Sequence, residues 1–113
     1  MRDDRLRLAD ILEAIRQIEK YSGHDRIAFD ENELIQVWIL HHLEIIGEAC
    51  RGLSGEFRKT HPDEMWSDAV GFRNVLVHQY FGIDLEAVWA VVARDLPLLK
   101  DKVLEITEEP RRS

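Results

Sequence analysis

Arg73, Asn74, His78 and Tyr80 sit with Gln79 in the stretch "GFRNVLVHQYFG" (residues 71–82), whose remaining residues are apolar between bounding glycines. Polar groups on so oily a segment are either satisfied in a core or collected for chemistry. The chemistry they suit is cleavage of a phosphodiester without metal. A ribose 2′-hydroxyl attacks its own adjacent phosphate when a base removes its proton and an acid protonates the leaving oxygen. Histidine serves in either role near neutral pH, and arginine brings fixed positive charge to the transition state. Asn74 can orient the His78 ring or hold a phosphate oxygen. DNA lacks the internal nucleophile, so the substrate would be RNA.

Helical geometry constrains the set. At about 100° per residue, Asn74 and His78 lie about 40° apart, and Arg73 and Tyr80 about 20° apart. Arg73 and His78 are separated by about 140°, so one straight helix does not bring them to a shared atom. Either the helix loosens after His78, close to Gly82, or a second chain completes the site. His78 also falls in the final turn, where the helix dipole favours a protonated imidazole. The bare Arg-x4-His spacing is a weak motif. By itself it favours an exposed cation and a satisfied core histidine, with Tyr80 a packed aromatic whose hydroxyl is wet.

The elements that must position these groups are helical. In "DDRLRLADILEAIRQIEKY", Leu8, Ile11, Leu12, Ile15 and Ile18 recur at steps of three and four, an amphipathic helix. Gly23 and a polar cluster in "SGHDRIAFD" break that pattern. Asp30 with Glu33 three residues later reads as a capping box for "DENELIQVWILHHLEIIGEACRGL", where Leu34, Val37, Trp38, Leu40, Ile45, Ile46 and Ala49 give a wide apolar surface. "RGLSGEFRKTHPD" reads as a loop with one helical turn. "EMWSDAVGFRNVLVHQYF" is helical, weakened at Gly71, with Gly82 suited to its C-terminal cap and Asp84 to the N-cap of the next helix. That helix carries Leu85, Val88, Trp89, Val92, Leu96, Leu99, Val103 and Ile106, and Pro97 predicts a kink. The expected architecture is all-α: an antiparallel bundle of four main helices with a short extra turn. One domain covers 1–113, its core about 5–106 and its tail 107–113.

Composition narrows the partners. The chain has 113 residues, 45% hydrophobic and 33% charged, an ordinary globular balance. No apolar run reaches membrane-spanning length, no signal peptide is indicated, and the single cysteine, Cys50, reads as a core residue in a reducing cytoplasm. A net charge of −7 argues against a broad, sequence-indifferent nucleic-acid surface but allows a local basic site built from two chains.

The segment "RNVLVHQY" resembles the Arg-x4-His-x-Tyr signature of the HepT-like branch of HEPN domains. "LEIIGEACRGLSGEFR", "HPDEMWSDAVGFRNVLVH" and "YFGIDLEAVWAVVARDLPLL" are similar to that family in order and spacing, over about residues 5–105. "HPDEMW" departs from it, since relatives usually carry a proline just before the tryptophan. The resemblance implies a homodimer in which the Arg-x4-His segments face one another across a cleft, so that Arg73 of one chain can meet His78 of the other. It implies a toxin of a two-gene toxin–antitoxin pair acting as a metal-independent endoribonuclease without cofactor. Arg73 and His78 would be catalytic and Asn74 supporting. The partner would be a minimal nucleotidyltransferase antitoxin, MntA-like, that uses ATP and magnesium to attach AMP to Tyr80. A phosphate there, on one face with Arg73, would occupy the anion site and exclude RNA. The alternative is a non-catalytic HEPN accessory subunit that binds a nucleotidyltransferase.

Other groups carry weaker signals. His41, Glu44 and Glu48 share a helical face and could bind a cation. A dimetal bundle, however, wants a second Glu-x-x-His copy that the sequence lacks, so a polar or dimer-facing patch is expected and no metal site is assigned. Glu44, Glu48 and Arg51 are candidates for the cleft or for RNA contact. Arg51, Arg58 and Lys59 form the one compact positive cluster away from the termini, a solvated loop by default, with contact to the RNA backbone or the antitoxin as the alternative. Trp38, Trp66 and Trp89 read as core residues before base-stacking platforms.

Overall fold

A computed structural model describes residues 3–22, 25–72 and 84–108. Every regular element among them is helical: α1 (Asp4–Ser22), α2 (Arg26–Glu31), α3 (Glu33–Arg51), α4 (Gly55–Thr60), α5 (Glu64–Val70), α6 (Leu85–Ala90) and α7 (Leu96–Thr107). A π-helical turn, Val91–Asp95, joins α6 to α7.

The periodic positions of α1 form its buried stripe: Leu8, Ile11, Ile15 and Ile18 are all nearly inaccessible. They pack mainly on α3, whose Ile39, Leu43, Ile46, Ala49 and Cys50 are equally buried. The two helices run antiparallel, because the Asp4 carboxylate accepts from Ser54 N and Oγ (2.8 and 2.6 Å) at one end. Toward the other end, Trp38 Nε1–H donates to the Gln17 carbonyl at 2.8 Å. Val88, Val91, Val92, Leu96, Leu99 and Val103 complete the core from the C-terminal side, and Lys100 grips Glu19 at 3.0 Å.

Several expectations change in detail. The capping box at Asp30 and Glu33 is not what starts α3. Asp30 belongs to α2, a short helix capped by Asp25, and Asn32 caps α3 by accepting from Leu34 N and Ile35 N (2.9 and 3.2 Å). Asn32 wins because its extended backbone places one oxygen below two unpaired N–H groups. The single turn expected after α3 is the helix α4, capped by Ser54. Asp84 does cap α6, accepting from Ala87 N at 3.1 Å. Pro97 acts through the turn before it. Proline has no N–H, and the preceding turn widens so that Leu96 N–H donates to the Val91 carbonyl, a π turn within a helix that continues. Leu34 and Val37, expected on the apolar surface of α3, are 81% and 53% exposed. Gly82 lies outside the described residues. None of the described helices is long and apolar enough to cross a membrane.

Candidate functional site on the open ridge of α3

Arg73, Asn74, His78 and Tyr80 lie outside the described residues. Their flanks do not. On one side α5 ends at Val70, Gly71 N–H donates to the Ser67 carbonyl at 3.0 Å, and Phe72 is buried in the core. Phe72 borders a cavity of about 150 Å³ with Met65, Asp68, Asp95, Leu98 and Leu99, between α5 and the C-terminal helix. On the other side the chain re-enters at Asp84, the α6 cap. The described residues that flank the motif, Phe72 and Asp84, thus both belong to packed parts of the fold.

The remaining sequence candidates share α3. Glu44, Glu48 and Arg51 are exposed, and Glu44 and Glu48 line an open groove of about 310 Å³ with Arg7, Asp10, His41, Ile45 and Ala49. Arg51 Nη1 stands 3.8 Å from Glu48 Oε1, too long for a hydrogen bond and on the surface, where such a pair contributes little. Among the described residues no group of three or more His, Cys, Asp or Glu is arranged to hold a metal ion.

Burial separates the consecutive histidines. His41 is exposed in the groove, whereas His42 is buried with Nδ1 2.8 Å from the Trp38 carbonyl. A carbonyl only accepts, so Nδ1 carries the proton and donates. The His42 ring also stacks at a tilt on Trp38, with centroids 4.5 Å apart. His42 thus serves packing. The positive cluster divides in the same way. Arg58 Nη2 donates to the Cys50 carbonyl at 2.7 Å and the Arg51 carbonyl at 3.3 Å, so it caps the C-terminal end of α3. Arg7 occupies the space over Gly52, where a β-carbon would meet its Cζ at 2.4 Å. Arg51 and Lys59 remain exposed.

Cys50, at the same helix end, has its thiol pushed up to about 12 by burial, with a smaller opposing pull from Arg58. It is a core residue and no nucleophile. Of the tryptophans, Trp66 is buried and donates Nε1–H to the His61 carbonyl at 2.8 Å. Trp38 and Trp89 are half-buried, Trp89 against Phe29 at 5.3 Å.

Sequence reasoning did not find Arg7 and Asp10 as groove residues, because their place beside α3 depends on how α1 crosses it. It also did not single out Gly47, where a β-carbon would meet the Ala69 carbonyl oxygen at 3.2 Å. The signal available for Gly47 was a glycine inside a long, strongly apolar helix.

A small domain whose described elements are all helical, with an Arg-x4-His-x-Tyr motif in its sequence and exposed polar residues along α3, defines the class. A family model described as ribonuclease HepT-like matches residues 11–106, and the chain belongs to that family. It is 39% identical over 103 residues to the Methanocaldococcus jannaschii protein named "Putative RNase MJ1380", covering 90% of this chain and 94% of that one. It is 37% identical over 98 residues to the Thermococcus cleftensis protein named "Probable ribonuclease HepT", covering 84% and 87%. No solved structure matches the chain.

Proposed function

We propose that this chain is a metal-independent endoribonuclease and the toxin of a HEPN and minimal-nucleotidyltransferase pair. Family membership over residues 11–106, together with the intact Arg73, His78 and Tyr80 of the motif, carries this reading. In the proposed reaction the 2′-hydroxyl loses its proton to a base and attacks phosphorus. The P–O5′ bond breaks, the 5′ oxygen takes a proton from an acid, and a 2′,3′-cyclic phosphate remains. His78 moves one of these protons, Arg73 balances charge on the phosphorane, and Asn74 supports either group.

The helical separation of Arg73 from His78 supports a homodimer whose cleft combines the two chains. Within each chain, the segment between α5 and α6 would supply the remaining long member of a four-helix bundle. Glu44, Glu48 and Arg51 are proposed to border the cleft. Neutralisation follows when the antitoxin transfers AMP from ATP to the Tyr80 hydroxyl with release of pyrophosphate, which places an anion on the face that Arg73 shares.

The deciding experiment is RNA cleavage in EDTA by the wild type and by His78→Ala, with the protein free of modification at Tyr80. Wild type is expected to cleave and leave cyclic phosphate ends, while His78→Ala leaves RNA intact. An unmodified wild type that leaves RNA intact would make the chain an accessory subunit for a nucleotidyltransferase. Intact mass after co-expression with the genomic neighbour tests the off-switch: increments of AMP are expected, and Tyr80→Phe should lose them.

A further inference from the structure

The short helix α2 lies between α1 and α3, in a stretch whose sequence reads only as a break in the helical pattern. It nevertheless makes a built contact with α6. Phe29 is fully buried, and its ring lies against Trp89 with centroids 5.3 Å apart. Arg26, three residues earlier and so on the same face of α2, also sets its guanidinium over the Trp89 ring, 6.0 Å from the centroid. The guanidinium then divides its donors. Nε donates to both carboxylate oxygens of Asp30, at 3.0 and 3.1 Å, and Nη2 donates to Glu86 Oε1 at 2.7 Å. Glu86 stands three residues before Trp89, so an i, i+3 pair on α2 meets an i, i+3 pair on α6. Asp25 caps α2 and Asp84 caps α6, which starts both helices at this contact.

We propose that Arg26 is a positioning residue for the nuclease site: through Glu86 it fixes the first turn of α6, and with it the point to which the chain returns after His78 and Tyr80. The inference rests on the reading of His78 as catalytic. Asp84 follows His78 by six residues and Tyr80 by four, and Glu86 stands two further on. An arginine suits the task, because one planar fork that serves two carboxylates and an aromatic face has a single geometry, which the point charge of a lysine lacks. Arg26 and Asp30 are half-exposed and Glu86 is at the surface, where ion pairs add little to global stability. The consequence of this contact is therefore local: it sets where α6 begins.

Steady-state RNA cleavage by Arg26→Gln, Glu86→Gln and the double variant of the full chain tests this. Each single variant is expected to lower kcat about fivefold with KM near the wild-type value. The double variant should lower it no further, because either change alone opens the same contact. Charge separates this effect from attraction of RNA. Arg26→Gln makes the chain more negative and Glu86→Gln less so, and their effects on RNA affinity would have opposite signs, whereas loss of the contact lowers kcat in both. Hydrogen exchange over residues 80–88 gives a readout without RNA: it should quicken in both single variants while α1 and α3 exchange at wild-type rates. Opposite changes in the two variants, additive losses, or an unchanged kcat would overturn the proposal. A wild type that leaves RNA intact while exchange responds as expected ends the nuclease reading and leaves the hold of Arg26 on α6 standing. A cleaving wild type whose exchange ignores both substitutions ends this assignment alone.

Discussion

Gly47, one turn before the C-terminal end of α3, faces the Ala69 carbonyl so closely that a β-carbon on residue 47 would stand 3.2 Å from that oxygen. The contact lets α5 lie directly on α3, three residues before the buried Phe72. Gly47→Ala gains about 1 kcal/mol of helix propensity and costs about 1–3 kcal/mol of overpacking. The second term wins, since a backbone carbonyl yields less readily than a side-chain end. Thermal unfolding should show a net loss of about 1 kcal/mol. Under the proposed function kcat for RNA should fall about tenfold with KM unchanged, because α5 leads into Arg73. An unaltered kcat would show that α5 does not set the position of the motif.

Arg58 reads as a cap, and the prediction is thermodynamic. Arg58→Met keeps the aliphatic stem and removes both donors to the α3 carbonyls. Urea unfolding should register a loss of about 1–2 kcal/mol. RNA affinity should stay at the wild-type value, since the guanidinium is committed to the protein.

Arg51 should behave in the opposite way. It is exposed, and the Glu48 carboxylate stands 3.8 Å away. Arg51→Gln should leave stability unchanged and weaken RNA binding several-fold, lowering the slope of log affinity against log salt by about one. Equal slopes for the two proteins would remove Arg51 from the RNA path.

Cys50 supplies a pH dependence. Burial raises its folded pKa to about 12 from an ordinary value of 9.0, so between those values the unfolded chain has released a proton that the folded chain retains. Its stabilising contribution is complete below pH 9 and declines as pH rises toward 12. Wild type should lose stability over that window more steeply than Cys50→Ala. At pH 8 iodoacetamide should label Cys50 only after unfolding; rapid labelling of the native protein would contradict the burial.

Much of the fold was legible in the sequence because helical burial is periodic. Leu8, Ile11, Ile15 and Ile18 could be placed on one face from spacing alone, and each is buried. Asp84 could be named as a cap because its requirement is local, a short acceptor just before an apolar run. The choice of Asn32 over Asp30 was not legible. Both are good caps, and what decides is where the chain turns from α2 into α3. Arg58 looked like any solvated cation, since its acceptors belong to the end of another helix.

The sequence by itself determined the helical class, the inward face of α1, the family and the chemistry proposed for Arg73, His78 and Tyr80, because these depend on residue type and short spacing. Only the tertiary structure decided which side of α3 stays open. The apolar residues of α3 nearly encircle it, so periodicity does not rank its faces. α1 and α5 take theirs, and among the described residues Leu34, Val37, His41, Glu44, Glu48 and Arg51 stay exposed. Burial is set by how many elements reach a face, and that number is a property of the packed molecule.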